Sequence, residues 1–189
     1  AWGTALSTVA ARNGHKVALW DPAHEIAEMV NREHRHPFAL EGVQLDPAIV
    51  GKGDLEETAA AAILLVAAPA QSMRTALETL NQYIKPGTIL VICAKGIEIG
   101  TGALMSQIVG QCIPQANTAI LSGPTFASEV ARGQPTAVTL ATNDREVGER
   151  IVHAIGGQSF RPYLSSDVIG TQVAGAIKKV LAIACGTVS

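Results

Sequence analysis

Two adjacent lysines, Lys178 and Lys179, lie at the middle of an apolar run that extends from Val168 to Gly186. The run contains no proline, and it predicts one buried helix in which neighbouring positions point about 100° apart. A lysine held against apolar surface loses hydration, so its pKa falls and it becomes a usable general acid or base near neutral pH. The alternative is that both lysines reach water along the edge of the helix.

Lys95 is a third lysine in a position suited to chemistry, because it ends an apolar strand in the segment Cys93-Ala94-Lys95-Gly96. In a doubly wound sheet, ligands bind at the carboxyl ends of the strands. The ammonium group of Lys95 would therefore point into the ligand crevice, where it suits a carbonyl oxygen or a phosphate. A strand-end lysine exposed to water is the alternative interpretation.

The segment Ser122-Gly123-Pro124-Thr125-Phe126-Ala127 lies where another apolar strand meets the beginning of a helix. The free amide groups and the dipole of a helix N-terminus favour anions, and Thr125 adds a hydroxyl group. The segment thus predicts a second part of a ligand site. Ser122 or Thr125 could instead cap the helix.

Near the start of the chain, Ala1-Trp2-Gly3 resembles the last part of a G-x-G-x-x-G turn, and we expect a first strand and the opening glycines to precede it. Asp21 follows the next strand, at the position where a carboxylate accepts hydrogen bonds from an adenosine ribose in dinucleotide-binding folds. The alternative is that Asp21 is a helix N-cap before Pro22, and both roles can hold at once.

The elements that would hold these residues alternate between strand and helix. The pattern predicts strands at 15–20, 62–67, 88–93, 118–121, 135–141 and 159–163, and helices at 2–11, 71–83, 102–112, 125–132 and 144–156. Another helix opens after Pro22, whereas residues 23–60 give no clear pattern. The alternation is typical of an α/β protein with a Rossmann-like, doubly wound, mostly parallel sheet. A boundary near 164–168 separates this sheet from the lysine-bearing helix.

The composition excludes several classes of protein. Of the 189 residues, 48% are hydrophobic but only 4% aromatic, which suits parallel strands covered by helices. The net charge of −2, without a basic patch, argues against nucleic acid and anionic membranes as partners. The three cysteines, Cys93, Cys112 and Cys185, show no C-x-x-C pairing, so we expect reduced thiols and no zinc site. Two central lysines would be costly in a membrane helix, and no signal peptide is evident, so we expect a cytoplasmic protein.

Six short segments occur together in one known family: Trp2-Gly3-Thr4-Ala5-Leu6, Asn13-Gly14-His15, Ala94-Lys95-Gly96, Ser122-Gly123-Pro124-Thr125-Phe126-Ala127, Asp167-Val168-Ile169-Gly170 and Gly175-Ala176-Ile177-Lys178. In their order and spacing, the chain resembles the bacterial type of NAD(P)-dependent glycerol-3-phosphate dehydrogenase over essentially its whole length. The resemblance implies reduction of dihydroxyacetone phosphate to sn-glycerol 3-phosphate for phospholipid synthesis.

The resemblance also implies the roles of individual residues at the substrate. Lys178 would be the proton donor in reduction and the proton acceptor in oxidation. Lys95 would contact the substrate and the cofactor region, while Gly123 and Thr125 would line the substrate site. Hydride arriving at a carbonyl carbon creates an alkoxide, which needs a nearby cation and a proton, so two lysines suit this chemistry.

For the cofactor, the resemblance implies NAD or NADP and no metal. Trp2 and Ala127 would touch the dinucleotide, beside the glycine turn at Gly3 and the substrate-side Lys95. Asp21 would repel a 2′-phosphate and bind a free ribose, so we expect NAD to serve at least as well as NADP.

We therefore expect residues 1–166 to form a dinucleotide-binding domain, and residues 167–189 to be the first helix of an all-helical substrate domain. That domain would supply an arginine and an asparagine for the substrate phosphate. The expected partner is a small-molecule substrate. The sequence leaves open whether the protein forms a homodimer. Two alternatives also stay open: a related lysine-dependent 2-hydroxyacid or sugar-acid dehydrogenase, and a non-catalytic dinucleotide-binding sensor.

Overall fold

The computed structural model describes residues 1–186, apart from the side chain of Lys179. The strands are β1 (Val17–Trp20), β2 (Ile49–Lys52), β3 (Ile63–Val66), β4 (Ile89–Ile92), β5 (Asn117–Ser122), β6 (Thr136–Ala141) and β7 (Phe160–Ser165). The helices are α1 (Trp2–Arg12), α2 (His24–Glu33), α3 (Leu55–Ala59), α4 (Met73–Asn81), α5 (Met105–Cys112), α6 (Ala127–Ala131), α7 (Arg145–Ile155) and α8 (Val168–Gly186), with a 3₁₀ turn at Ala70–Ser72.

The strands form two sheets. β1 and β2 pair in parallel, and the other strands pair in the order β3-β4-β5-β6-β7. Every neighbouring pair in this second sheet is parallel except β5 and β6, which are antiparallel. α1 packs against β1, β2 and β3 and so joins the two sheets. The predicted α/β fold with a Rossmann-like, mostly parallel sheet is confirmed.

β4 shows why the sheet needs helices on both faces. Ile89 and Val91 are completely buried in a cluster that includes α1, α2 and α7. Leu90 and Ile92, which alternate with them, are completely buried in a second cluster with α4 and α5. A continuous apolar run is therefore what a strand covered on both faces requires.

The packing of α2 on β2 lies within residues 23–60, where no clear pattern predicts the elements. A Cβ atom built on Gly51 of β2 would lie 2.6 Å from the Cα atom of Ala27 in α2. Because Ala27 contributes backbone atoms at this contact, no side chain fits at position 51. β2 escapes detection since it has only four residues, and one of them, Val50, is 43% exposed.

α8 differs from its prediction as a wholly buried helix. It packs on β5 and β6, and Gln172 is its buried member among the described side chains. Its later residues are exposed: Val180 is 64%, Leu181 58% and Ile183 68% accessible. An apolar run is buried only where another element covers it, and no element among residues 1–186 covers this half. The prediction of burial along the whole of α8 is therefore wrong.

Within the described residues, no single helix is both long and apolar enough to cross a membrane. The two parts of α8 on either side of residue 179 would meet that requirement only as a bent pair, by length and composition.

Candidate functional site

The carboxyl ends of β4 and β5 bring together the predicted substrate residues. The two strands are parallel neighbours, so the turns that follow them lie at one edge of the sheet. The Nζ atom of Lys95, after β4, donates a hydrogen bond of 2.5 Å to the carbonyl oxygen of Gly123, after β5. The backbone N–H of Thr125 donates to the same oxygen at 3.1 Å. Lys95, Gly123 and Thr125 therefore form one cluster.

Gly123 also fixes the backbone behind this cluster. A Cβ atom built at this position would lie 3.1 Å from the carbonyl oxygen of Ala137 and from the Cα atom of Val138, both in β6. The absent side chain thus lets the turn after β5 lie close against β6, which presents the Gly123 carbonyl to Lys95.

α8 reaches the same cluster through Gly175. A Cβ atom built on Gly175 would lie 2.8 Å from Ser122 Oγ and 3.5 Å from Lys95 Cγ, so a side chain here would have to displace the Ser122 hydroxyl from this close contact. Lys178 lies three residues further along and thus near the same side of the helix. Helical side chains lean toward the N-terminus of their helix, so the Lys178 side chain leans in the direction of Gly175.

The environment of Lys178 differs from the expectation in one respect. Its side chain is exposed, so the loss of hydration that a buried position would impose is not found among the described residues. The second lysine of the pair, Lys179, has its side chain outside the described part of the structure. The position of Lys178 relative to Gly175 is therefore what connects it to the site.

Gln172 holds the first half of α8 in place. Its side chain is buried, and its Oε1 atom accepts a hydrogen bond of 2.9 Å from the backbone N–H of Ser106 in the first turn of α5. Its Nε2 atom donates to Ser106 Oγ and to the Val168 carbonyl, each at 2.9 Å. One amide thus satisfies an otherwise unpaired helix N–H group and joins α8 to α5.

We expect Gln172→Ala to lower the free energy of unfolding by about 1–3 kcal/mol, because the Ser106 amide would lose its acceptor in a poorly hydrated place. Chemical denaturation monitored by circular dichroism would measure the change. Gln115→Ala is the matched control, since the Gln115 side chain is exposed and donates a hydrogen bond to the side chain of Asn81; its effect should stay within about 0.5 kcal/mol. Equal effects of the two variants would contradict the assignment.

The first turn of α1 suits the phosphates of a dinucleotide. Within the described chain, it contains no acidic residue, and its N-cap, Ala1, makes no side-chain hydrogen bond. The first amide groups of the helix therefore stay available to an anion. A Cβ atom built on Gly3 would lie 3.3 Å from Ala67 Cβ, just after β3, so a larger residue would crowd this turn. Trp2 and Ala127 pack against the same apolar cluster.

Asp21 directly follows β1, where the sequence predicts a ribose-binding carboxylate. Its Oδ1 atom accepts a hydrogen bond of 3.0 Å from the backbone N–H of Ala23. The N-cap of α2 is Ala23 itself, without a side-chain hydrogen bond, so the alternative that Asp21 caps this helix is wrong by two residues. Asp21 instead orders the turn before α2.

His36, in the loop after α2, is half-buried and lies close enough to Asp21 for the two charges to interact. Burial lowers the pKa of His36, and the Asp21 carboxylate partly opposes this effect. The loop after α2 therefore reaches the predicted ribose position. The pattern His34-Arg35-His36-Pro37 contains no signal that could have indicated this contact.

The alternative that Ser122 or Thr125 caps α6 is also wrong. The N-cap of α6 is Phe126, and no side-chain hydrogen bond caps the helix. α6 has five residues, and the backbone contact between Thr125 and Gly123 ends the turn before it. Thr125 is therefore part of the turn that presents Gly123.

A small hairpin after Lys95, residues 97–104, adds a group of residues that the sequence did not indicate. The guanidinium of Arg74 in α4 donates to both carboxylate oxygens of Glu98, at 2.9 and 2.7 Å. Hydrogen bonds from Arg74 and then from the Thr101 hydroxyl lower the pKa of Glu98 to about 2. Glu98 is therefore ionised at neutral pH, and the pair ties the hairpin to α4.

Comparison with known proteins gives this geometry a context. Residues 1–148 match the family model for the N-terminus of NAD-dependent glycerol-3-phosphate dehydrogenase. The chain is 51% identical over 188 residues to glycerol-3-phosphate dehydrogenase [NAD(P)+] of Parvibaculum lavamentivorans, covering 100% of this chain and 56% of that protein. It is 48% identical over 188 residues to the protein of that name from Paramagnetospirillum magneticum, covering 100% and 68%.

A solved structure of an enzyme with the same name has a similar fold. Glycerol-3-phosphate dehydrogenase of Coxiella burnetii superposes with a TM-score of 0.91 at 31% identity, covering 98% of this chain and 57% of that one. The chain spans 54–68% of the length of the first three curated relatives that it matches.

Proposed function

Because the chain belongs to the NAD-dependent glycerol-3-phosphate dehydrogenase family, we propose that the full-length protein reduces dihydroxyacetone phosphate to sn-glycerol 3-phosphate with NADH or NADPH. The observation that carries the proposal is the hydrogen bond from Lys95 to Gly123, with Gly175 of α8 packed against both Ser122 and Lys95. This packing gathers a cation and the helix that bears a second lysine at the sheet edge where ligands bind.

The two lysines have different roles in the proposed reaction. Lys95, held by the Gly123 carbonyl, presents positive charge to the substrate carbonyl oxygen and stabilises the negative charge that develops there. Lys178 donates the proton that converts this oxygen to a hydroxyl group, and it takes the proton back in the reverse direction. Gly123 and Thr125 orient the substrate through their turn. The nicotinamide cofactor supplies the hydride when it is bound.

The residues at the other end of the site fit the cofactor. The amide groups at the start of α1, beside Trp2 and Gly3, would hold the pyrophosphate. Asp21 would accept hydrogen bonds from the adenosine ribose, and Ala127 would pack against the dinucleotide.

The second half of α8 supports the proposed division into domains. We assign residues 1–166 to the dinucleotide-binding domain and 167–189 to the first helix of a helical substrate domain. Covering Val180, Leu181 and Ile183 by that domain would remove their apolar surface from water. The substrate would then lie between the two domains, in a cytoplasmic enzyme that serves phospholipid synthesis.

The test is oxidation of NADH by the full-length protein in the presence of dihydroxyacetone phosphate, followed at 340 nm. We expect turnover with this substrate and none with a 2-hydroxyacid or sugar-acid precursor. Turnover with one of the latter would favour the related lysine-dependent dehydrogenase. Tight binding of NADH without turnover of any carbonyl substrate would favour a dinucleotide-binding sensor.

Cofactor choice gives a separate prediction. Asp21→Ser removes the charge that would repel a 2′-phosphate, so kcat/KM for NADPH should rise relative to that for NADH by roughly tenfold, which corresponds to about 1.4 kcal/mol. Steady-state kinetics with both cofactors would measure the ratio. Asp46→Ser is the control, because Asp46 likewise accepts a backbone hydrogen bond two residues on, in an exposed loop. An unchanged ratio in Asp21→Ser would exclude the carboxylate as the discriminating group.

A further inference from the structure

The segment between Lys95 and α5 folds into a small hairpin, residues 97–104. Ile97 and Leu104 form an antiparallel bridge, and the backbone N–H of Glu98 donates to the Ala103 carbonyl at 2.9 Å. Its start is adjacent to Lys95, with only Gly96 between them. Any displacement of the hairpin would therefore be passed to the Lys95 backbone.

Two side chains from the α4 region hold this hairpin. The Gln71 amide donates to the Ile97 carbonyl and accepts from the Ile99 N–H, each at 2.9 Å, so it pairs with the hairpin like a short strand. Arg74, one turn further, forms the two-pronged contact with Glu98. The Glu98 side chain is only 11% exposed, which makes this pair better shielded from water than the other ion pairs of the described chain.

Gly96, between Lys95 and the hairpin, packs against the 3₁₀ turn Ala70–Ser72. Its φ of +150° is a conformation that glycine readily adopts, and a Cβ atom built there would lie 2.7 Å from Ala70 Cβ. The backbone next to Lys95 therefore rests on the same 3₁₀ turn that carries Gln71. The hairpin, the 3₁₀ turn and the start of α4 thus form one connected support that begins next to Lys95.

We propose that Arg74 and Glu98, assisted by Gln71, are positioning residues that hold the hairpin 97–104 and thereby keep the Lys95 ammonium group directed at Gly123 and the substrate. The inference rests on the proposed function for its kinetic consequence. Arg74 acts through its planar fork, which binds both carboxylate oxygens, and lysine cannot reproduce that contact. Neither residue touches the reacting atoms.

The experiment compares Arg74→Met, Glu98→Gln and the double variant in the full-length protein. We expect each single variant to lower kcat for dihydroxyacetone phosphate at least tenfold. Here kcat is calculated per NADH-binding site, as measured by titration. The KM for NADH should stay within twofold of that of the unsubstituted protein. The double variant should lose less than the product of the two single losses, because both substitutions remove the shared contact between Arg74 and Glu98. Arg145→Met with Glu149→Gln is the control, since that pair lies on the exposed surface of α7. Its kcat should not change.

Two readouts do not depend on turnover. Amide hydrogen exchange of Glu98 and Ile99 should accelerate at least tenfold in Arg74→Met, and the rate at which an acylating reagent modifies Lys95, followed by mass spectrometry, should change at least threefold. If Arg74→Met does not fold, Arg74→Lys keeps the charge without the fork and should show the same changes.

Faster exchange in the hairpin with unaltered kcat and unaltered Lys95 modification would overturn the positioning role. Absence of turnover in the unsubstituted protein would overturn the proposed function instead, and the exchange and modification rates would still decide whether the hairpin positions Lys95.

Discussion

Lys178→Ala should reduce kcat for dihydroxyacetone phosphate by roughly a hundred- to ten-thousandfold, the range expected when a general acid is lost. The reason is geometric: Lys178 is one turn beyond Gly175, the residue that packs against Ser122 and Lys95. The KM for NADH should change little, because the proposed role of Lys178 is to exchange a proton with the substrate and not to bind the cofactor. Steady-state oxidation of NADH and a fluorescence titration of NADH binding would measure the two effects separately.

Lys179→Ala tests the register of this assignment. The two lysines are adjacent in sequence, so they differ in direction by about 100° around the helix. We expect Lys179→Ala to retain turnover within threefold of the unsubstituted protein. A large loss in Lys179→Ala with turnover preserved in Lys178→Ala would move the proton donor to the neighbouring position and contradict the residue assignment, though not the reaction.

Lys95→Met should reduce kcat/KM for dihydroxyacetone phosphate by roughly a hundred- to a thousandfold, as for the loss of one electrostatic contact to a developing oxyanion. Methionine approximates the length of the side chain but cannot donate to the Gly123 carbonyl or stabilise negative charge. The KM for the substrate should rise as well as kcat fall, since Lys95 would contact the substrate before and during reaction. Steady-state kinetics over a range of substrate concentrations would separate the two parameters.

Lys85→Met is the control for the loss of one positive charge. Lys85 is exposed in the turn after α4 and follows no strand of the sheet. Its kinetics should match those of the unsubstituted protein. If Lys95→Met and Lys85→Met behaved alike, the cation at the end of β4 would have no part in the reaction.

Much of this site follows from the order of residues because parallel strands align their carboxyl ends. The apolar run of β4 is continuous, as burial on both faces requires, and apolar residues also mark β5, so the ends of both strands and the residues after them can be located. Lys95 and Gly123 were therefore predicted to share an edge, and they are hydrogen bonded. The antiparallel pairing of β6 with β5 does not alter this edge.

The contacts that local patterns missed join residues far apart in sequence. Arg74 and Glu98 are 24 positions apart, and Gln172 and Ser106 are 66 apart, so no helical or strand period relates them. The exposure of α8 escaped prediction for a related reason, because an apolar sequence specifies a need for cover but not the element that provides it. Tertiary partners, not local propensity, decide such features.

Gly51 and Lys95 illustrate two different effects of mutation in a cell: loss of the folded protein and loss of its reaction. The backbone of Ala27 occupies the space where a side chain at position 51 would lie, and rigid neighbours cannot move aside cheaply. A larger residue there would deplete the protein through chaperones and proteases, since even 1–2 kcal/mol changes cellular abundance several-fold. Lys95→Met, in contrast, would leave abundance unchanged and lower only the rate of the reaction. In a genetic screen that measures both abundance and growth, substitutions at position 51 would lower both quantities, whereas Lys95→Met would lower growth alone.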